Sequence, residues 1–391
     1  MKCLVTKLNG VVNNSELLKL GELRIDVLQE ASLTGSTSNL VLQASKEIPI
    51  EIIGNGFFTD EGLTINKGKK LSINPNIPTA IYLSNGNYSI AIYDKYNLTS
   101  LSVNKQGVKF DLSILKYLTN LQTINLSGTQ ITGDIQSLQN LTNLKTLRVN
   151  STQVVGDIQS LMSLSLLSTL ECFHTKIAGN ISSLQYLTNL QTINLSGTQI
   201  TGDISNLQNL VNLTFLRMDS LAITGNISML NKLTGLETFM CNGSKEVTGN
   251  FSSLQNSPKL KTCDLSNTKI TGNTSSFNSL SKLEKLWLAG IDLTGNDVAT
   301  LPDSLKYLQS NSNLSWSTRR SSAKIISIEG NPRFTTVDKM LQDQAQCQIG
   351  YNPDDAPYLK LISVVGTRTS ASDTAVQTLQ SKGYTVTVTP E

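Results

Sequence analysis

The groups in this sequence that could do chemistry are few, and their spacing does not favour catalysis. His174 is the only histidine, so a Ser–His or Cys–His nucleophile pair has one possible base, and zinc sites built on several imidazoles are excluded. No Ser or Cys stands at a diagnostic spacing from it. The five cysteines (Cys3, Cys172, Cys241, Cys263 and Cys347) are scattered and odd in number, without a CxxC pair. That pattern argues against a disulfide framework and fits maturation in a reducing compartment. "GTRTS" (366–370) lies between an expected strand and an expected helix but lacks the spacing of a phosphate loop. Asp134, Asp157, Asn180, Asp203, Asn226, Asn250, Asn273 and Asn296 recur at a fixed interval. One such group per turn is sparse for calcium, which takes roughly six to eight oxygens, so turn capping is the expected role. The expectation is a non-enzyme with no cofactor and no metal.

Composition narrows the class further. The 391 residues carry 32 Lys and Arg against 29 Asp and Glu, a formal charge of +3. Charges so nearly balanced argue against a nucleic-acid partner, which calls for a concentrated basic face. The opening "MKCLVTKLNGVVNNSELLKLGELRI" has its apolar stretches interrupted by Lys7, Asn9, Asn13 and Asn14. It therefore forms no signal-peptide core, and no apolar run long enough for a membrane span is present.

What must position any binding group is a repeat. "YLTNLQTINLSGTQITGDI" occupies residues 117–135 and returns unchanged at 186–204, 69 residues or three times 23 further on. Glycines mark the units between and beyond: Gly133, Gly156, Gly179, Gly202 and Gly225 are 23 apart, and Gly249, Gly272 and Gly295 follow after one inserted residue in "GSKE" (243–246). A fixed period of this size is the signature of a solenoid. Ile124 and Leu126 alternate with Asn125, the sign of a strand with one buried face. Gly133 permits a turn that a Cβ would hinder, and "QSLQNL" after it predicts a short helical or 3₁₀ turn burying Leu138 and Leu141.

This pattern resembles the leucine-rich repeat family, in the variant with a TG-x-I turn. The resemblance implies an α/β solenoid: about nine repeats over residues 98–302 with a parallel concave sheet. Where the family carries Asn at the turn, this chain has Thr129, Thr152, Thr175, Thr198 and Thr268, whose hydroxyls can still bond turn backbone.

The outward positions of the strands are the ones free to vary. Thr123, Thr146, Thr169, Thr192, Thr238 and Thr262 form a column suited to cross-strand support. The next two columns bring Arg148, Glu171, Phe173, Arg217, Asp219 and Met240 together mid-array, with Trp287 farther along. Exposed arginines and aromatics are the types enriched at interface hot spots. A contact surface and a plain solvated sheet face both fit these columns.

Residues 1–97 lie outside the register and predict a small β-rich domain that caps the first repeat, with a hairpin at "AIYLSNGNYSIAIY" (80–93) turning on Asn-Gly. Residues 303–391 predict a polar loop at 309–323 bearing Trp316, Arg319 and Arg320, then a βαβαβ cap whose strands extend the concave sheet. There Ser370 and Asp373 are the expected capping box, and Gly383 the helix stop.

The N-terminal stretch quoted above and "GTRTSASDTAVQTLQSKGYTVTV" near the C-terminus resemble virion structural proteins of crAss-like tailed gut phages. That resemblance implies a head fibre or tail-associated adhesin, assembled in the bacterial cytoplasm and located on the virion. It would dock to other virion proteins through residues 1–97, form a homo-oligomer and present its repeats to a host-surface protein or glycan. The alternative is a bacterial leucine-rich repeat adhesin or effector at the cell surface.

Overall fold

The computed structural model describes eight strands between residues 22 and 93, then residues 98–103, 110–320, 322–350 and 360–390. The chain divides into two compact units, residues 1–167 with 174–177 and residues 168–173 with 178–391. The apolar run at 2–8 lies outside the described residues.

In the first unit the early strands are antiparallel. Glu22–Leu28 pairs with Asn87–Tyr93, which also pairs with Ile48–Gly54, itself paired with Lys69–Ile73. Ser38–Ala44 pairs with Thr79–Leu83 and, on its other edge, with Leu98–Val103. The expected hairpin at 80–93 is therefore not formed. Its two strands belong to different sheets, and sheet pairing outweighs the local Asn-Gly turn signal. Leu98–Val103 is the transition strand, antiparallel to Ser38–Ala44 and parallel to Thr123–Asn125, which continues to Thr146–Arg148.

Each repeat turns its apolar letters inward. In the first quoted copy Leu121, Ile124, Leu126, Ile131, Ile135, Leu138 and Leu141 have no exposed surface. Burying one such side chain contributes roughly 1.5–3 kcal/mol. The 3₁₀ turn Ile135–Leu138 starts at Asp134, whose Oδ1 accepts from the Gln136 N–H at 2.8 Å. The same capping holds at Asp157, Asn180, Asp203, Asn226, Asn250 and Asn273. At the last turn the cap is Asp297 rather than Asn296, whose amide instead donates to the Asn313 carbonyl. Gly133 (φ +104°) is required by the cap before it: a Cβ there would sit 2.7 Å from Asp111 Oδ1.

The turn threonines act as expected. Thr129, Thr152, Thr198 and Thr268 each donate to the carbonyl three residues earlier, at 2.6–2.7 Å. Where Leu221 replaces the threonine, Ser244 of the next repeat donates to the orphaned Met218 carbonyl at 2.7 Å and accepts from Leu221 N–H. One repeat repairs its neighbour.

In the second unit, strands from Thr169–Glu171 to Lys285–Trp287 lie parallel and in register. A second parallel sheet runs through the TG-x-I segments, from Gln199–Asp203 to Asp292–Gly295. The first sheet does not stop near residue 302. Tyr307–Gln309 pairs with Lys285–Trp287, and Ser327–Glu329, Leu361–Val365 and Thr385–Thr389 follow in parallel. The expected polar loop sends part of its side chains inside. Trp316 is buried with its indole N–H on Asp343 at 2.9 Å. Arg319 is buried and donates to the carbonyls of Leu301, Pro302 and Lys324. Arg320, by contrast, is exposed and paired with Asp303.

Helices Val337–Gln346 and Asp373–Ser381 complete the βαβαβ order. The capping box at Ser370 is not formed: Thr369 caps the 3₁₀ turn ahead of the second helix, and Asp338 accepts from Thr369 and Ser372. Gly383 (φ +88°) does end that helix, with Tyr384 N–H returning to the Leu379 carbonyl at 3.1 Å.

Candidate binding face on the parallel strands

The registers place Glu171, Asn194, Arg217, Met240, Asp264, Trp287, Gln309 and Glu329 as consecutive neighbours across the second unit's sheet. Phe173 and Asp219 stand two residues beyond their strands, in the adjoining column. All six of the predicted residues in this unit are partly exposed. Arg148 holds the equivalent position of Thr146–Arg148 in the first unit and is also partly exposed.

The adjoining column proves to be a hydrogen-bonded ladder. Ser127 Oγ donates to Asn150 Oδ1 at 2.6 Å, Asp219 N–H to Ser196 Oγ at 3.1 Å, and Asn242 N–H to Asp219 Oδ1 at 3.1 Å. Ala289 N–H completes the pattern on Ser266 Oγ at 3.2 Å. Asp219 is thus a rung, and its second oxygen holds Arg217 Nε at 2.5 Å. The carboxylate is only 14% exposed, whereas the Arg217 side chain is 42% exposed and offers the rest of its guanidinium outward. The sequence signal for this ladder is the Ser/Asn/Asp make-up of the column itself.

Two aromatic members were not singled out in the sequence. Phe215 interrupts the threonine column, in register between Thr192 and Thr238. Tyr307 holds the same column opposite Lys285, its ring 5.1 Å from Trp287 and its hydroxyl bonded to the Glu329 carboxylate. Tyr307 is buried, so the partly exposed Trp287 is backed by an anchored ring.

Between Met240 and Trp287 sits Asp264, 5% exposed and accepting from Ser266 N–H at 3.0 Å. Burial raises its carboxyl above the usual carboxylate range, and the charge of Asp219 adds to the effect. The cysteines at the strands are core members. Burial pushes the Cys172 thiol up to about 12 and takes Cys241 and Cys263 well above the ordinary range, which suppresses thiolate chemistry.

His174 occupies a left-handed turn position (φ +54°) that is glycine in half the repeats, as at Gly128 and Gly197. Among the described residues, no group of three or more His, Cys, Asp or Glu is arranged to hold a metal ion, and no helix is long and apolar enough to cross a membrane. The face carries a cation, a thioether and aromatic rings on a fixed backbone.

Comparison with known proteins agrees with the strand register. The family model "Leucine Rich repeats (2 copies)" matches residues 119–163. No curated protein sequence matches the chain significantly. Among solved structures, the plant peptide hormone receptor RGFR1, in complex with RGF2, is similar at 23% identity and a TM-score of 0.55 over 72% of this chain and 50% of the receptor. The Arabidopsis receptor kinase HAESA ectodomain, with a peptide hormone ligand, is similar at 24% identity and a TM-score of 0.52, over 58% of this chain and 40% of that one. A leucine-rich repeat protein of Leptospira interrogans is similar at 17% identity and a TM-score of 0.51, covering 70% of this chain and 68% of that one. The chain thus spans half or less of these two plant receptors. At these identities the shared property is the fold. Repeat period, strand register and these likenesses together identify the chain's architecture as the leucine-rich repeat fold, a solenoid-like array of stacked parallel strands.

Proposed function

We propose that this chain is a non-enzymatic binding scaffold that takes a protein or peptide along the outward strand row of its second unit. The observation that carries this reading is the run from Arg217 through Met240 to Trp287 on neighbouring strands. Phe215 stands at its start, and the buried Tyr307 braces its end. Arginine and aromatic groups held on a rigid backbone lose little conformational entropy on binding, which suits them to anchor an interface. The peptide ligands named for RGFR1 and HAESA accord with this use of the fold. The test is a display selection for peptides binding the full chain, with the hits re-measured on Arg217→Ala and Trp287→Ala variants. Hits that bind the variants as tightly as the parent would exclude this face.

The finer reading is a phage virion appendage, head fibre or tail-associated adhesin, docked by residues 1–97 and oligomeric on the particle. Its support is the resemblance of both terminal stretches to crAss-like virion proteins, together with an antiparallel strand set joined to the first repeat strand. Detection of the chain in purified particles, and loss of particle association on removing residues 1–97, are the expected results. Recovery in the bacterial envelope alone would favour the cell-surface adhesin or effector instead.

A further inference from the structure

The side of the first unit that carries the 3₁₀ turns has two adjoining shallow grooves of about 520 and 360 Å³. They share Asp134, Gln136, Gln139 and Asn140, so they form one continuous furrow across successive turns. The larger groove continues over Asp157 and Gln159 to Met162, and the smaller ends at Tyr117. Met162 and Tyr117 are 52% and 47% exposed, large values for such side chains.

The polar groups of the furrow are left uncommitted by the fold. The side-chain amides of Gln136, Gln139, Asn140 and Gln159 make no hydrogen bond with the described residues. Nearby Asn143, by contrast, donates to the Thr119 carbonyl at 2.9 Å. Asp134 and Asp157 each use Oδ1 to cap a turn and keep Oδ2 available. The two glutamines are also a local choice. At the equivalent position six other repeats have Ser113, Ser182, Ser205, Ser228, Ser252 and Ser275, each donating its backbone N–H to the same kind of cap. The turn therefore needs only a backbone N–H there. Gln136 and Gln159 extend longer amides from the 3₁₀ turns of successive repeats.

We propose that this furrow binds a neutral oligosaccharide. Primary amides both donate and accept, and so match vicinal hydroxyl pairs, while a free carboxylate oxygen accepts from a hydroxyl. The Tyr117 ring and the Met162 thioether give the apolar faces against which sugar C–H groups pack. The lining has one cation, Lys116, whose Nζ lies 4.7 Å over the Tyr117 ring, and two carboxylates. That balance disfavours an anionic ligand. A peptide adding as a further strand would require an open strand edge, and the furrow is lined instead by turn side chains. A shallow, open furrow implies weak single-site affinity, useful when many copies engage one surface.

The experiment uses the full chain on an array of neutral and sialylated glycans, followed by calorimetry with the best neutral hit. The double variant Gln136→Ser with Gln159→Ser installs the residue the other repeats use, so its melting temperature should match the parent. Neutral-glycan affinity should fall at least tenfold in that variant and again with Tyr117→Ala. Absence of any neutral hit, binding confined to sialylated glycans, or affinity unchanged in the double variant would each overturn the assignment.

Discussion

The same nineteen residues occur at 117–135 and 186–204, and the two copies end in different surroundings. Their backbones agree closely. Leu126 N–H bonds Arg148 O at 2.8 Å, and Leu195 N–H bonds Arg217 O at 3.0 Å. Gly133 and Gly202 hold φ of +104° and +108°, and Thr129 and Thr198 make the same turn bond. The exposures diverge. Asn194 and Ser196 are 8% and 5% exposed, while Asn125 and Ser127 stay partly open. Tyr117 is 47% exposed and Tyr186 is 71%. The copied letters set the backbone, and the next repeat sets what solvent or a partner can reach. Asn150 follows the first copy, whereas the second is followed by Asp219 clasping Arg217.

If that division holds, core substitutions should cost the same in both copies. Ile124→Ala and Ile193→Ala, both fully buried, should each lose about 2–5 kcal/mol by chemical denaturation. Losses differing by more than about 1 kcal/mol would show that the copies are unequal inside as well as outside. Gly133→Ala and Gly202→Ala come next, at about 1–3 kcal/mol each, because both combine a positive φ with a cap in the way. A Cβ on Gly202 would stand 2.5 Å from Asn180 Oδ1.

Rung substitutions should separate the copies. Asp219→Ala removes the acceptor of Asn242 N–H and the Arg217 partner and should cost about 1–2 kcal/mol. Asn150→Ala removes the Ser127 bond and should cost about 0.5–1 kcal/mol. Equal thermal shifts in the two variants would count against the difference.

The smallest effect concerns Asp264, which stands where the two copies have Asn125 and Asn194, all three accepting from the serine two residues on. Its folded carboxyl titrates above its unfolded value. The contribution of Asp264 to stability should therefore fall as pH rises from the ordinary carboxylate value through the raised one, and stay level above it, against the opposite slope of Glu237 and Asp338, whose carboxyls are held low. Asp264→Asn should remove that contribution, so that the difference between variant and parent grows with pH across this window, and should melt no lower than the parent at neutral pH. Parallel melting profiles for parent and variant would show that burial does not penalise this charge.

The repeat was legible because its defining residues make contacts within a turn or with the turn before. Glycine beside the preceding cap, threonine on its own carbonyl and leucine in the core recur every 23 residues and announce themselves. The strand Tyr307–Gln309 escaped because the interval from Lys285 shortens and the TG-x-I landmark disappears, whereas the strands of the βαβαβ cap were readable from their own apolar runs. Trp316 and Arg319 look like loop residues in sequence, yet the second unit satisfies an indole N–H with a carboxylate and a guanidinium with three carbonyls. At the candidate face, period-two alternation identified Arg217, Met240 and Trp287. It could not indicate that Asp219 is a rung or that Asp264 is covered, since both depend on the neighbouring strand.

The close fit of Gly133 to Asp111, repeated by Gly202 against Asn180, makes the junction between successive turns a standard joint. The two identical segments lie a whole number of turns apart, at 69 residues. A crossover between them would excise or duplicate three turns and restore the same joint, with no compensating substitution required. Length in whole turns is therefore the property this sequence can most easily revise.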